Sequence, residues 1–141
     1  SRCQREGRGF EPLCPLHDKF ITLNKDNIFI MSDLSKSKCV ACDGNTLPFD
    51  ITEIHKYLKK VDGWEVKSDK NKSFYLIKNF KFKNFTMSQE FVIQVGNIAE
   101  IENHHPDIYF GWGYCKIKIF THAIKGLAES DFILAAKIDK I

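Results

Sequence analysis

The sequence predicts an α+β fold, a four-stranded antiparallel sheet with three α-helices packed on one face. Three observations lead there. The spacing of apolar residues switches between helical and alternating periods in the order helix, strand, strand, helix, strand, strand, helix. The strands within each pair are joined by short turn-rich stretches, which favours hairpins over crossover connections. The chain has 141 residues, 43% of them hydrophobic, which is the length and composition of one domain with one core.

Each element has its own warrant. Lys38 to Pro48 is a loop by composition and carries Cys39-Val40-Ala41-Cys42-Asp43-Gly44. Asp50 followed by Glu53 is a capping signature, and Ile51, Ile54, Tyr57, Leu58 and Val61 share one helical face, so a first helix is expected over about Ile51 to Lys60. Asp62-Gly63 ends it. Trp64 to Lys67 and Ser73 to Phe82 read as a hairpin, with Phe74, Leu76, Lys78 and Phe80 on one side of the second strand. Thr86 with Gln89 reads as a second capping box, and Phe91, Val92, Val95, Ile98 and Ala99 form an apolar stripe, so a second helix runs to about Asn103 and Pro106 stops it. Asp107 to Trp112 and Tyr114 to Thr121 read as the last two strands, with Ile117, Ile119 and Thr121 on one face. Gly126 breaks the chain, and Phe132, Leu134, Ala135 and Ile138 predict a final helix.

Residues 1–30 read differently. Arg2, Arg5 and Arg8 give a polar start and no clean period follows, so this stretch is expected to be a weakly ordered N-terminal extension or leader, with residues 31–141 forming the single domain. The 21 Lys and Arg are nearly matched by 18 Asp and Glu in the same segments, a net charge of +3 without a basic block, which argues against direct nucleic-acid or membrane-surface binding. No apolar run approaches the roughly 20 residues of a membrane span. Five cysteines, an odd number, argue against a disulfide framework and for a reducing compartment. The cytoplasm is the expected setting, with the nucleus or an organelle as alternatives.

The chemistry concentrates between Glu100 and Asp131, where three of the five histidines fall. Imidazoles titrate near neutral pH, so His104, His105 and His122 in one cleft would suit a reaction that both gives and takes protons. The residues allow other readings. Glu100 and His104, four apart on a helix, could chelate a metal with His122, although no His-Glu-x-x-His motif is present. Cys14-x2-His17 and Cys39-x2-Cys42 have spacing a structural zinc ion could use, against inert thiols or a redox-sensitive pair. Asp131, close to the start of the last helix, reads as structural, favourably placed near exposed amides. Lys78, Lys81 and Lys83 read as solvated, and Trp64, Phe80, Phe82 and Phe85 as core or subunit interface.

The spacing Glu100-x3-His104-His105-Pro106-x5-Trp112-x9-His122-x8-Asp131 closely resembles the signature of the pterin-4a-carbinolamine dehydratase family. Gly63-Trp64-Glu65-Val66, Phe80-Lys81-Phe82-Lys83-Asn84-Phe85, His105-Pro106-Asp107-Ile108 and Gly126-Leu127 before Ser130-Asp131-Phe132 extend the likeness from about Lys38 to the C-terminus. Ala128 departs from it, standing where many members place a helix-capping Thr, and so does Ala123, often acidic in relatives. The resemblance implies a hydro-lyase that dehydrates a 4a-hydroxytetrahydropterin to the quinonoid dihydropterin in tetrahydrobiopterin recycling, with no metal, nucleotide or redox cofactor. It implies His105 as the principal acid/base group, His104 and His122 as its partners, Glu100 as a group that orients His104 or binds the pterin, Pro106 as the residue that fixes the pair, and Trp112 as a pocket wall. It also implies a homodimer or homotetramer. The rival reading is a dimerisation cofactor that binds a helical segment of a transcription factor, and a third is a homologue that binds pterin without catalysis.

Overall fold

The computed structural model describes residues 33–40 and 44–141. The expected extension over residues 1–30 lies outside them, as do Cys14, His17 and Cys42 of the postulated zinc site. Helix α1 spans Ile51–Leu58, α2 Phe85–Glu102 and α3 Glu129–Ile138, and the strands are β1 Glu65–Ser68, β2 Phe74–Lys81, β3 Asp107–Gly111 and β4 Tyr114–Ile119. All strand pairs are antiparallel and the sheet order is β1-β2-β4-β3, so the fold class is the one the periodicities predict.

Local chemistry sets the boundaries. The Asp50 side chain accepts the Glu53 amide at 2.8 Å and starts α1 as expected. The cap of α2 is not Thr86: the Asn84 side chain accepts the Met87 amide at 2.9 Å, so the helix begins one residue before the threonine. In the β1–β2 loop the Asp69 carboxylate accepts the amides of Asn71 and Ser73, a side chain standing in for a backbone turn. Gly113, at φ +78°, lets β3 fold tightly back into β4, and its carbonyl accepts the Phe82 amide at 2.8 Å.

The register places Val66, Leu76, Phe80, Ile108, Cys115, Ile117 and Ile119 on one face of the sheet, where they join the core contributed by the helices. Helix α3 is buried nearly all round, from Ser130 to Ala136, because α1, α2 and the short turn at Leu34–Lys36 also pack on it. Lys78 shares the inner face and is not solvated as the sequence suggested. Its side chain is 17% exposed, and its ammonium donates to the Asp62 carbonyl at 2.6 Å and to the Asp139 carboxylate at 2.7 Å. Asp139 also accepts the indole N–H of Trp64, so the C-terminal end of α3 is tied to the β1–β2 hairpin by a lysine whose ammonium lies over the rings of Trp64 and Phe80.

A second buried pair lies at the far end of α2. Glu102 pairs with Lys137 of α3 and accepts the Cys39 amide at 2.9 Å, which fastens the segment before α1 across both helices. Burial opposes ionisation of this carboxyl, but the Cys39 amide and the Lys137 ammonium outweigh it and hold its pKa below the ordinary value. Burial pushes the thiols the other way, Cys39 up to about 12 and Cys115 up to about 11, so both are protonated at neutral pH.

Candidate active site

The site begins with how α2 ends. Asn103 adopts the left-handed conformation, φ 49°, and its amide and that of His104 close the last turn on the Glu100 and Ala99 carbonyls. Asparagine tolerates this geometry better than most residues, so the helix stops here, three residues before the proline taken from the sequence as the terminator. Beyond Asn103 the chain takes no regular structure until β3 begins at Asp107, and the two neighbouring imidazoles differ in burial. His104 turns inward and is 14% exposed, whereas His105 turns outward and is 55% exposed.

Each imidazole finds a carboxylate. His104 Nε2 lies 2.8 Å from Asp131 Oδ1, and Asp131 is fully buried. His105 Nε2 lies 2.8 Å from Glu100 Oε1, an exposed pair. A carboxylate can only accept, so both rings donate from Nε2 and keep Nδ1 for another partner. The pairing of Glu100 with His104, suggested by their spacing of four, is absent. Left-handed Asn103 interrupts the helix between them, and the chain brings Glu100 against His105 instead.

Asp131 is also held from its other side. Its Oδ2 accepts the Thr121 hydroxyl at 2.9 Å and the Ala128 amide at 2.8 Å, the latter closing the first turn of α3 where Ala128 has no capping side chain of its own. One carboxylate thus links the end of α2, the exit of β4 and the start of α3. Neither Thr121 nor the Glu102–Lys137 pair stood out in the sequence. The alternation of β4 placed Thr121 with the inward-facing residues, but nothing in it marks a hydroxyl that meets a residue ten positions on.

His122 follows directly. It starts a short 3₁₀ turn, His122–Ile124, rather than ending a strand as read from the sequence, because β4 stops at Ile119. Its ring lies against Phe120, centroids 4.1 Å apart. Asp107 pairs with Lys118, so the His104–Pro106 segment entering β3 runs past the Phe120–His122 segment leaving β4. Trp112 is elsewhere. It is 72% exposed in the β3–β4 turn, and a five-residue strand at about 3.4 Å per residue separates it from the histidine end of the hairpin. Within one chain it does not line a wall with the imidazoles.

Among the described residues no group of three or more His, Cys, Asp or Glu is arranged to hold a metal ion, and Glu100, His104 and His122 form no such set. Two concavities of about 290 Å³ each lie apart from the imidazoles, one between Phe49, Tyr57 and the start of α3, the other between Ile98, Ile101 and Lys137.

These features define a small α+β protein with two imidazole–carboxylate pairs, His104–Asp131 and His105–Glu100, where its central helix runs into an edge strand. A family model described as pterin 4 alpha carbinolamine dehydratase matches residues 48–141. A curated protein of Rubrobacter xylanophilus, provisionally named a pterin-4-alpha-carbinolamine dehydratase, is 44% identical over 111 residues, covering 79% of this chain and all of the relative. Pterin-4-alpha-carbinolamine dehydratase 2, mitochondrial, of Arabidopsis thaliana is 45% identical over 114 residues, covering 79% of this chain and 60% of the relative. A crystal structure titled as a transcriptional coactivator/pterin dehydratase from Brucella melitensis superposes with a TM-score of 0.59 at 26% identity, covering 66% of this chain and 96% of the other. The chain belongs to the pterin-4-alpha-carbinolamine dehydratase family, and the resemblance carried by its Glu100-to-Asp131 signature is borne out.

Proposed function

We propose that this protein is a hydro-lyase that removes water from a 4a-hydroxytetrahydropterin to give the quinonoid dihydropterin, by histidine acid–base catalysis, within tetrahydropterin recycling. Family membership supports the reaction class. The observation that carries the mechanism is the pair of imidazole–carboxylate contacts at the junction of α2 and β3, one buried and one exposed. In the elimination the C4a–O bond breaks, the departing hydroxide takes a proton and leaves as water, and N5 loses its hydrogen as the C=N bond forms. No electron is gained or lost overall.

Such a reaction needs an acid and a base of near-neutral pKa on one ring, each contributing typically 10²- to 10⁴-fold. His105 serves as the principal group. Solvent reaches it, its Nε2–H donates to Glu100, and Nδ1 is left to exchange protons. His104, anchored on buried Asp131, offers Nδ1 from a fixed position, and His122 is the third proton carrier. Pro106 restricts the backbone where the pair leaves the helix.

The test is dehydration by purified full chain and by folded His105→Ala and His122→Ala variants. The expected result is turnover by wild type and a loss of about 10²-fold or more in each variant. Wild-type rates in both variants would remove the histidine assignment, and no turnover by wild type would remove the reaction.

A second reading has an observation of its own. Met87, Ile93 and Ile101 stand exposed on α2, and the Brucella structure's title pairs coactivator with dehydratase. An apolar helix surface of this kind suits a helical segment of a transcription factor. Binding of such a segment by a protein that gives no dehydration would favour this reading over the enzyme.

A further inference from the structure

Thr121 has no place in the motif that ties this chain to its family, yet its hydroxyl is one of three donors on the buried carboxylate of Asp131. Oδ2 accepts two of them, Thr121 Oγ1 at 2.9 Å and the Ala128 amide at 2.8 Å. Oδ1 is left to His104 Nε2 at 2.8 Å. With donors on Oδ2 from two different elements, the carboxylate plane has no freedom to turn, and Oδ1 has one position from which to receive the imidazole N–H. The strand itself makes little use of the hydroxyl. Thr121 already exchanges backbone hydrogen bonds with Gly126 in both directions, at 2.9 and 3.4 Å.

We propose that Thr121 is a positioning residue for the dehydratase site, which through Asp131 fixes the ring plane and the tautomer of His104. Without the hydroxyl, Asp131 keeps a single backbone donor on Oδ2 and can swing about it, and the Nε2–H bond to His104 loosens. The ring then samples both tautomers, so that Nδ1 is no longer consistently the free nitrogen. The kinetic part of this inference rests on the dehydratase reading. The tautomer part stands on geometry alone.

The experiment compares full-length wild type with Thr121→Val, which keeps the branched shape and loses the donor, and Thr121→Ser, which keeps the donor. Nitrogen-15 NMR of the His104 ring is expected to show one defined state in wild type and in Thr121→Ser, and a shifted or mixed one in Thr121→Val. Turnover is expected to fall about tenfold in kcat with KM nearly constant in Thr121→Val, and to return in Thr121→Ser. Unchanged His104 resonances in Thr121→Val would overturn the proposal, as would a kcat equally reduced in Thr121→Ser. If Thr121→Val does not fold, Thr121→Ala carries the same comparison. Absence of turnover in wild type with the expected resonance shift would reject the dehydratase reading and leave the tautomer role standing.

Discussion

Asp131 joins two tasks that a sequence presents separately. At the start of α3 it supplies the acceptor that Ala128 cannot, and at the same time it receives His104. Replacement by Asn separates the tasks. The amide oxygen still accepts from Thr121 and the Ala128 amide, so the helix start survives, but its NH₂ then faces His104 Nε2. Two donors cannot share that contact, so the ring moves its hydrogen to Nδ1 and loses its free acceptor. Asp131→Asn is therefore expected to lower kcat by roughly 10²-fold or more while changing the melting temperature little. Steady-state dehydration beside a thermal melt checks it, and a large drop in melting temperature with kcat intact would contradict it. The exposed pair of His105 and Glu100 differs in kind. Such contacts contribute only about 0–1 kcal/mol to stability, so substitutions there are expected to be felt in turnover and not in folding.

At the scale of elements, the end of α2 decides which imidazole faces which carboxylate. Asn103 holds a left-handed conformation that costs most residues roughly 1–2 kcal/mol and costs Gly almost nothing. Asn103→Ala is expected to lower stability by about 1 kcal/mol and to lower turnover further than that loss explains, because the exit direction of His104 and His105 moves with it. Asn103→Gly is expected to keep both near wild type. Chemical denaturation and kinetics on the two variants distinguish these outcomes, and equal behaviour of Ala and Gly would sink the argument. This is also where legibility in sequence ran out. Helix and strand identities followed from the spacing of Ile54, Tyr57, Phe91, Val95, Ile117 and Ile119, since periodicity reports which face is buried, although Ile51, read onto the same face, is exposed. Termini depend on single backbone conformations, and Pro106 gave a louder stop signal than Asn103. The same holds for Asn84, which caps α2 from a position less conspicuous than Thr86.

For the whole molecule, burial patterns were legible and buried polar partners were not. Lys78 looked like one more surface lysine, and nothing near it in sequence points to Asp139, sixty-one positions away. Glu102 is the same case with a larger reach, since it joins α2, α3 and the segment at Cys39. That reach makes acid stability a measurable property of the assembly of elements. The Glu102 carboxyl has a folded pKa below its unfolded value, which is about 4.3 for an ordinary glutamate. Its contribution is therefore fully present above the unfolded value and is lost as pH falls through the folded one. Glu102→Gln keeps the shape and removes the charge, leaving Lys137 with a neutral partner. It is expected to cost about 2 kcal/mol at neutral pH, and the gap to wild type is expected to close as pH falls below the unfolded value and through the lower folded one, where the native carboxyl itself becomes neutral. Urea unfolding of both proteins from pH 3 to 7 measures this. A gap that stays constant across that range would mean that the loss does not follow the ionisation of Glu102, and would remove its charge on Lys137 as the source of the effect.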